Sequence, residues 1–259
     1  MIHVAVAGAS GKLGSMVCRF IQTHPDMKLS VTIVSPGSPK LGKELFPEVE
    51  AVGPEDLVST LKGMDVYVDL TSPSAARVNL PQVPEAGVNA VVGTTSIPKD
   101  TMDAFKNGVK DNNLSAVVSP NFSIAVNVFW NTCKNLASVL GDWDVDIIEV
   151  HHNMKKDAPS GTALKAAEII SEVTRSTDMV HGRQGEIGAR KREIGIHAVR
   201  AGDVVGEHTV LFTGNGERLE LTQRAQSREV FAKGCLTAID WVSGKRDGQV
   251  HGMYEVLGI

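Results

Sequence analysis

The stretch "VAVAGASGKLG", residues 4–14, joins a β-branched apolar run to a glycine-rich turn. The run has the length of a buried strand, and an amphipathic segment typical of a helix follows at residues 15–22. Gly8, Gly11 and Gly14 are spaced for a tight bend, for close approach of the backbone to a pyrophosphate, and for packing of a helix on a strand. The stretch predicts a phosphate-binding strand, turn and helix, although an ordinary tight turn has the same spacing.

Four further buried strands are predicted in the first half of the chain. One lies at residues 29–34, and the others lie within "MDVYVDLTSP", "VNAVVGTTS" and "LSAVVSPNFS". Segments of helical length separate them, which predicts a Rossmann-like, doubly wound parallel sheet of the α/β class. Small or hydroxylated residues follow the last three strands, where ligands of open α/β sheets bind, although each residue alone is equally a turn former. These candidates for a dinucleotide site are Thr71, Ser72, Pro73, Gly93, Thr94, Thr95, Ser119, Pro120 and Asn121.

The end of the second strand indicates which dinucleotide is expected. A fold that prefers NAD usually carries an acidic residue there, about 20 residues past the glycines, to hold the ribose hydroxyls. Here the sequence has Val34, Ser35 and Pro36, and the next acidic residue is Glu44. We therefore expect NADPH over NADH, while a solvated loop in an enzyme that accepts either cofactor remains the alternative. The residues expected around a 2′-phosphate are Lys12, Ser35, Ser38 and Lys40.

The second half contains the densest group of chemically active residues, "EVHHNMKKDAPSGTA" at residues 149–163. The preceding alternation predicts a strand that turns Val145, Ile147 and Glu149 to one face and the intervening residues to the other. A polar loop follows, and Ser160 is placed to cap the N-terminus of a helix. The histidines therefore stand at a strand end, just before the start of a helix.

That placement favours a site for a small carboxylate ligand. Gly161 and Thr162 fall in the first helical turn, where backbone N–H groups attract anions. His151, His152 and Lys155 add positive charge and proton-carrying groups close by. A zinc site is less favoured, because adjacent histidines on a strand point to opposite faces and no HExxH motif or nearby cysteine supplies further ligands. The remaining alternative is a surface histidine pair beside a solvated, lysine-rich loop.

The rest of the chain predicts a second, α+β domain with a mixed, largely antiparallel sheet. A polar stretch at residues 175–193, to which we assign no function, precedes strands joined by a hairpin turn at "TGNGE". A helix with an apolar stripe follows and is expected to return to the first domain. We expect a dinucleotide-binding domain at 1–122, completed by 228–259, and a substrate-binding and oligomerisation domain at 123–227.

The composition excludes several classes of protein. The 259-residue chain has a formal net charge of −4 and lacks a basic stripe interleaved with aromatics, so a nucleic-acid partner is not expected. Neither an export signal nor an apolar run of membrane-spanning length is present. Cys18, Cys133 and Cys235 are scattered and odd in number, which fits buried thiols in a reducing cytoplasm.

Taken together, these motifs resemble the dihydrodipicolinate reductase family. Residues 149–163 agree with the family signature E-x-H-H-x-x-K-x-D-A-P-S-G-T-A at every fixed position. The blocks "VAVAGASGKLG", "DLTSP", "VVGTT", "SPNFSIAVNV" and "VRAGDVVGEHTVLF" follow the family order, so the resemblance covers nearly the whole chain.

The resemblance implies NAD(P)H-dependent reduction of 4-hydroxy-tetrahydrodipicolinate to tetrahydrodipicolinate in the diaminopimelate route to lysine. It also implies that hydride is delivered to a ring carbon as water is lost, and that the enzyme is a homotetramer assembled through the sheet of the second domain. His151 is implied as the acid/base residue, Lys155 as the proton donor, and His152, Gly161 and Thr162 as ligands of the substrate carboxylates. The implied cofactor contacts are Gly8, Ala9, Ser10, Gly11, Lys12, Leu13, Gly93, Thr94, Thr95, Ser119, Pro120, Asn121 and Phe122.

The sequence also departs from the family pattern. Val34 and Ser35 replace the usual acid and its basic neighbour, Ser96 stands where glycine is common, and Pro81 and Pro84 interrupt a segment that is usually helical. Two alternatives to the reductase remain open. One is a related Rossmann dehydrogenase acting on another amino-acid-like acid, which the histidine and lysine block argues against. The other is a catalytically silent nucleotide sensor, which would need neither His151 nor Lys155.

Overall fold

The computed structural model describes residues 1–176 and 178–259 and divides the chain into two compact units. Unit 1 contains Met1–Ile124 and Glu229–Gly258, and unit 2 contains Ala125–Arg228 with Ile259. The elements, in chain order, are β1 (Ile2–Ala7), α1 (Lys12–Gln22), β2 (Met27–Ile33), β3 (Glu44–Phe46), β4 (Val49–Val52), α2 (Leu57–Thr60), β5 (Val66–Asp69), α3 (Pro73–Asn79), α4 (Gln82–Glu85), β6 (Asn89–Val92), α5 (Lys99–Asp111), β7 (Ser115–Val118), α6 (Ile124–Val139), β8 (Asp144–His151), α7 (Gly161–Thr174), β9 (Met179–His181), β10 (Ile194–Arg200), β11 (Gly206–Gly214), β12 (Glu217–Ala225), α8 (Glu229–Ser243), β13 (Gln249–His251) and α9 (Met253–Leu257).

Unit 1 is built on the predicted doubly wound sheet. Its strands lie in the order β13-β7-β6-β5-β1-β2-β4-β3, and every pairing is parallel except that of β3 with β4. The chain order reverses between β1 and β5, which creates the crevice where such sheets bind ligands. Buried apolar side chains form one cluster on each face of this sheet.

The glycine turn after β1 allows backbone segments to approach one another closely. Gly8 has a φ of 79°, and a Cβ there would overlap the carbonyl oxygen of Leu70. A Cβ on Gly14, in the first turns of α1, would overlap the carbonyl oxygen of Gly8. Glycine is required at both positions because the backbone of a neighbouring segment occupies the space of a side chain. The helix begins at Lys12, three residues earlier than the amphipathic pattern indicated.

Helix α8 belongs to unit 1, and the stripe predicted from the sequence faces its core. Cys235, Ala238, Ile239 and Val242 are buried in the same cluster as residues of β1 and α1. The side chain of Asn89 holds the end of this helix, because its Nδ2 donates to the carbonyl oxygens of Val242 at 2.7 Å and Lys245 at 2.9 Å. The C-terminal segment is therefore an integral part of the core of unit 1.

Unit 2 contains a mixed five-stranded sheet in the order β12-β11-β8-β10-β9. The hairpin of β11 and β12 turns through Asn215 and Gly216, both at positive φ, as the motif predicted. Two of its four pairings are antiparallel and two are parallel, so the antiparallel share is smaller than expected. The reason is that α7 crosses over between β8 and β10, and such a connection returns the chain in the same direction.

Several short elements were not predicted, and one predicted break is confirmed. Strand β9 lies within the polar stretch at residues 175–193, and β3, β4, β13 and α9 have no strong periodicity of their own. Between α3 and α4 the helix is broken at Pro81, as its missing N–H requires. Pro84, the second predicted interruption, lies inside the short helix α4 instead. Across the described residues, no helix is both long and apolar enough to span a membrane.

We predict that Gly234→Ala destabilises unit 1. A Cβ at Gly234 would overlap the carbonyl oxygen of Phe122. This backbone atom cannot move without a shift of the loop between β7 and α6. We expect the free energy of unfolding to fall by about 3 kcal/mol, more than the roughly 1 kcal/mol gained from the helix propensity of alanine. Urea denaturation followed by circular dichroism measures the change.

Gly244→Ala is the matched control, since a Cβ there meets nothing within 4 Å. It should leave the unfolding midpoint close to that of the wild type. Equal midpoints for Gly234→Ala and the wild type would show that α8 does not pack as described.

Candidate active site

A cavity of about 510 Å³ in unit 1 opens at the carboxyl ends of β1, β2 and β5. Gly8, Ser10 and Gly11 of the glycine turn line it, together with Ser35 and Thr71 of the neighbouring strand ends. It lies at the reversal of strand order, where a doubly wound sheet binds a dinucleotide. Among the described residues that line it, none is acidic. The cavity thus brings together Gly8, Ser10 and Gly11 of the predicted glycine motif with Ser35 of the β2 end.

Helix α1 begins at this cavity without a side-chain cap. Gly11 is its N-cap and donates its own N–H to the carbonyl oxygen of Gly8 at 2.9 Å. The N–H groups of the first turn and the positive end of the helix dipole are suited to a phosphate. Lys12 is exposed and lies outside the cavity lining, as do Ser38 and Lys40, so only Ser35 of the four residues expected around a 2′-phosphate is found there.

A buried carboxylate organises two of the loops that sequence analysis assigned to the cofactor. Asp69, at the end of β5, has no solvent exposure and accepts hydrogen bonds from the hydroxyls of Tyr67, Thr71 and Thr94 at 2.8, 2.7 and 2.5 Å. Thr94 also accepts the backbone N–H of Thr71 at 2.8 Å. Thr71 and Thr94 are therefore fixed to each other. Asp69 was not predicted as a site residue, because it ends an apolar run and resembles an ordinary strand terminus.

The remaining predicted cofactor residues of unit 1 lie after β6 and β7, or in the glycine turn and the first turn of α1. A Cβ on Gly93 would approach the side chains of Leu70 and Phe122 within 2.8 Å, so these three residues are packed closely. After β7, Ser119 Oγ donates to the carbonyl oxygen of Asn121 at 2.8 Å and forms a tight turn there. The other members of this predicted set, with their environments, are Ala9 (buried), Leu13 (half-buried), Thr95 (exposed) and Pro120 (exposed).

In unit 2, the alternation along β8 turns its polar residues Glu149 and His151 toward the buried face. Glu149 has no solvent exposure and His151 is 9% exposed. His151 Nδ1 lies 2.5 Å from Glu149 Oε2, so an ionised Glu149 accepts the Nδ1 proton. The other ring nitrogen, Nε2, faces Gly206, where a Cβ would stand 3.0 Å away. Glycine at 206 thus leaves space beside Nε2.

Cationic and backbone donors complete the surroundings of Glu149. Arg200 contacts both carboxylate oxygens, at 2.8 and 2.9 Å, and the backbone N–H of Ser160 donates to Oε1 at 3.0 Å. Burial raises the pKa of Glu149, but the hydrogen bonds from Arg200 and His151 outweigh it and leave the pKa below its usual value. Burial also lowers the pKa of His151, against the opposing effect of Glu149. The pair is therefore a carboxylate beside a neutral imidazole at neutral pH.

The loop before α7 carries Lys155, whose Nζ lies 2.9 Å from Asp157 Oδ2. The hydrogen bond from Lys155 holds the pKa of Asp157 below its usual value, so this ion pair persists at neutral pH. Nε2 of His152 accepts from Arg228 at 2.9 Å. The two histidines thus have different partners, as expected for adjacent residues at a strand end.

Helix α7 begins as the sequence predicts. Ser160 is its N-cap, and its Oγ accepts the N–H of Ala163 at 3.2 Å. Gly161 is exposed with open space around it, and the carbonyl oxygen of Thr162 accepts from Trp130 at 3.1 Å. Among the described residues, no group of three or more histidine, cysteine or acidic side chains could hold a metal ion.

A second buried histidine was missed by sequence analysis. His208 is 3% exposed, its Nε2 lies 3.1 Å from Ser160 Oγ, and its ring packs edge-on to His151 at 5.2 Å. Burial lowers its pKa to about 4, in spite of the hydrogen bond to Gln223. It lies in the block "GEHTVLF" on a strand with alternating burial. The sequence pattern alone does not show that this polar residue faces the interior. His208 therefore holds Ser160, the N-cap residue of α7, through the hydrogen bond between Nε2 and Oγ.

Comparison with known proteins identifies the family. Residues 2–122 match the N-terminal domain of dihydrodipicolinate reductase, and residues 125–257 match its C-terminal domain. The chain belongs to the dihydrodipicolinate reductase family. It is 47% identical to the 4-hydroxy-tetrahydrodipicolinate reductase of Methanobrevibacter smithii and 45% identical to that of Methanothermobacter thermautotrophicus. Each alignment covers 100% of both chains.

A solved structure of the same family supports the fold. The dipicolinate-bound dihydrodipicolinate reductase from Paenisporosarcina sp. TG-14 is similar over 98% of both chains, with a TM-score of 0.83 and 28% identity. The resemblance carried by the sequence motifs is thereby confirmed, as is the fold class. The individual roles of the site residues in this chain stay predictions.

We predict that His208 makes unit 2 sensitive to acid. Its pKa is about 4 when folded and about 6.5 when unfolded, so the unfolded chain binds the extra proton between these values. The contribution of neutral His208 to the free energy of unfolding is therefore present above pH 6.5 and is lost as the pH falls toward 4. Between pH 6.5 and 5, His208 alone should cost about 2 kcal/mol of unfolding free energy. Urea denaturation at both pH values, followed by tryptophan fluorescence, measures the loss.

His208→Asn should lose less stability over the same pH interval because asparagine does not titrate. The exposed His181 of β9 provides the control, and His181→Asn should lose as much as the wild type. If His208→Asn and the wild type lost equal amounts, protonation of His208 would not be the cause.

Proposed function

We propose that this member of the family reduces 4-hydroxy-tetrahydrodipicolinate to tetrahydrodipicolinate with NAD(P)H, with His151 and Lys155 as its proton-handling residues. The observation that carries the proposal is that the family signature folds into one cluster, in which a strand end, a short loop and a helix N-terminus supply adjacent polar groups. The full-length similarity to reductases of this name supports it. The activity belongs to the biosynthesis of diaminopimelate and lysine.

The net reaction takes up one hydride and one proton and releases one water. The nicotinamide cofactor, when bound, supplies the hydride, and the cavity with its glycine turn fits such a group. Departure of the ring hydroxyl as water requires a proton, which we assign to Nζ of Lys155. His151 acts at Nε2 as the acid/base group, since Nδ1 is engaged by Glu149.

The N-terminus of α7 is suited to the carboxylates of the substrate. Gly161 leaves space in the first turn, and the dipole of this 14-residue helix favours an anion there. His152, Gly161 and Thr162 are the proposed carboxylate ligands. Charge-assisted contacts of this kind contribute roughly 1.5 to 3 kcal/mol each, which suits a dianionic ligand.

We further propose that NADPH is preferred over NADH. Ser35 lies in the cavity at the end of β2, and an acidic residue that would repel a 2′-phosphate does not occur among the described lining residues. Ala9, Lys12 and Leu13 are included as cofactor contacts because they belong to the glycine turn and the first turn of α1.

A homotetramer assembled through the sheet of unit 2 is proposed on the family resemblance. Ile148 and Val199 support it, because these apolar residues share one sheet face and are 37% and 42% exposed. The roles of unit 1 in binding the dinucleotide and of unit 2 in binding the substrate and in oligomerisation are part of the same proposal. The free, buried cysteines fit the proposed cytoplasmic location.

The direct test follows oxidation of NADPH and of NADH with 4-hydroxy-tetrahydrodipicolinate generated in place by the preceding synthase reaction. We expect turnover that depends on the substrate. Absence of turnover with both cofactors would contradict the reductase. If cofactor binding persisted without turnover, the protein would be a nucleotide sensor; oxidation with a different amino-acid-like acid would indicate a related dehydrogenase.

Lys155→Ala should lower kcat by roughly 10² or more, since general acid catalysis typically contributes roughly 10² to 10⁴. The Kd of the cofactor should change little, because Lys155 lies in unit 2 and pairs with Asp157 there. Steady-state kinetics and cofactor fluorescence titration measure the two quantities. Lys156→Ala removes a neighbouring exposed lysine and should retain full kcat. Comparable loss of cofactor affinity in Lys155→Ala would refute this placement of the lysine.

Ser35→Asp should shift the preference toward NADH. A carboxylate at the end of β2 accepts hydrogen bonds from ribose hydroxyls and repels a 2′-phosphate. The ratio of kcat/KM for NADPH to that for NADH measures the shift, which we expect to exceed tenfold. Ser38→Asp, a change just outside the cavity lining, is the control. An unaltered ratio in Ser35→Asp would remove Ser35 from the cofactor site.

A further inference from the structure

Arg200 is linked by hydrogen bonds to both proposed proton-handling residues of unit 2, to His151 through Glu149 and to Lys155 through Asp157. It lies on β10, in register with His151 on the neighbouring strand β8. Its guanidinium donates to both oxygens of Glu149, at 2.8 and 2.9 Å, and to the carbonyl oxygen of Asp157 at 2.6 Å. Such a planar fork fixes the orientation of a carboxylate as well as its charge.

Both residues that accept hydrogen bonds from Arg200 also hold a proton-handling side chain through their own carboxylates. The carboxylate of Glu149 binds Nδ1 of His151 at 2.5 Å, and the carboxylate of Asp157 binds Nζ of Lys155 at 2.9 Å. A change in the position of Arg200 would therefore be transmitted to His151 through Glu149 and to Lys155 through the backbone of Asp157.

We propose that Arg200 is a positioning residue that aligns Glu149 and Asp157, so that Nε2 of His151 and Nζ of Lys155 are the two groups available to exchange protons. This proposal rests on the proposed function. It assigns no contact between Arg200 and the substrate. Both terminal nitrogens of the guanidinium are engaged by the protein, Nη1 by Glu149 and the carbonyl oxygen of Val199, and Nη2 by Glu149 and Asp157. Nε is buried and has no hydrogen-bond partner among the described residues.

The charge balance around Glu149 is the physical basis. A buried carboxylate with a single histidine partner would draw a proton onto that histidine and keep it there as an imidazolium. Arg200 supplies the positive charge instead, so His151 can remain neutral and accept a proton at Nε2. Arg200 is held charged, because its hydrogen bonds to Glu149 raise its pKa further.

The groups that face His151 act on its pKa in opposite directions. Lys155 in the loop and Arg200 on β10 both lower the pKa of His151, Glu149 on β8 raises it, and burial lowers it most. His208 on β11 packs edge-on to the ring and is itself neutral at neutral pH, since its pKa is about 4. Asp157 is engaged by Lys155. The opposed effects of Glu149 and Arg200 make their substitution a sharp test.

The experiment measures the pKa and tautomer of His151 by ¹⁵N-edited NMR of the full chain, labelled at histidine. Arg200→Met should raise the pKa of His151, because Glu149 is left with histidine as its main charged partner. Glu149→Gln should lower it, because the anion is removed. Arg200→Lys should give a smaller rise than Arg200→Met, since lysine restores the charge but lacks the planar fork.

Activity supplies the second readout. In Arg200→Met, the acidic limb of the pH profile of kcat/KM should move upward with the pKa of His151. At pH 7, kcat should fall about tenfold, a part of the roughly 10² to 10⁴ contributed by general acid/base catalysis. The KM for the cofactor should stay within twofold. Arg200→Lys should recover part of kcat.

Arg190→Met is the matched control. Arg190 has a similar side-chain exposure, 20% against 19%, and pairs with Asp144 and Asp146 at the other end of β8. It should lower stability without moving the pKa of His151 or the pH profile. A shift as large as that of Arg200→Met would show that any loss of an arginine from this sheet has the same effect.

An unchanged pKa and tautomer of His151 in folded Arg200→Met would overturn the proposal. Should that variant fail to fold, Arg200→Lys and Glu149→Gln decide the matter, and shifts of the same sign in both would overturn it. The NMR result does not depend on turnover. A wild type without reductase activity would therefore refute the proposed function while leaving the positioning of His151 separately testable.

Discussion

The burial of the Glu149 carboxylate is the constraint on which the site in unit 2 depends. An ionised side chain without solvent exposure is tolerated only when nearly all of its acceptor positions are engaged. The backbone of the α7 cap, the fork of Arg200 and the ring of His151 provide that engagement from three separate segments. Loss of one partner of such a group typically costs about 3 to 5 kcal/mol, so local order and chemistry are maintained by the same contacts.

Unit 1 contains a second buried carboxyl group with a different set of partners. Asp69 is equally buried but is surrounded by hydroxyl groups of Tyr67, Thr71 and Thr94 rather than by cations. Hydroxyls fix the geometry of two loops without adding positive charge beside the cavity. In unit 2, by contrast, arginine and histidine surround Glu149, and they are groups that can influence proton transfer. The chemistry of the partners thus distinguishes a scaffold for loops from a network coupled to titration.

Local sequence patterns were sufficient to predict most of the fold and the part of the site that is contiguous in sequence. Strand β1, the cap Ser160 and the alternation of β8 are determined by neighbours a few residues away, so spacing alone indicates them. Arg200 and His208 lie about 50 residues from their partners, at separations of 51 and 48, and their roles emerge only when β10 and β11 align with β8. Short strands such as β9 were missed because pairing, rather than periodicity, creates them.

The discontinuity of unit 1 has a consequence for the order in which the molecule is built. Residues 125–228 form one uninterrupted segment, whereas the sheet of unit 1 receives α8 and β13 only from the last part of the chain. During synthesis, which proceeds from the N-terminus, residues 125–228 of unit 2 leave the ribosome before α8 can cover its apolar face of unit 1. The later domain in sequence is therefore the first that can complete its core, and the nucleotide-fold unit matures last.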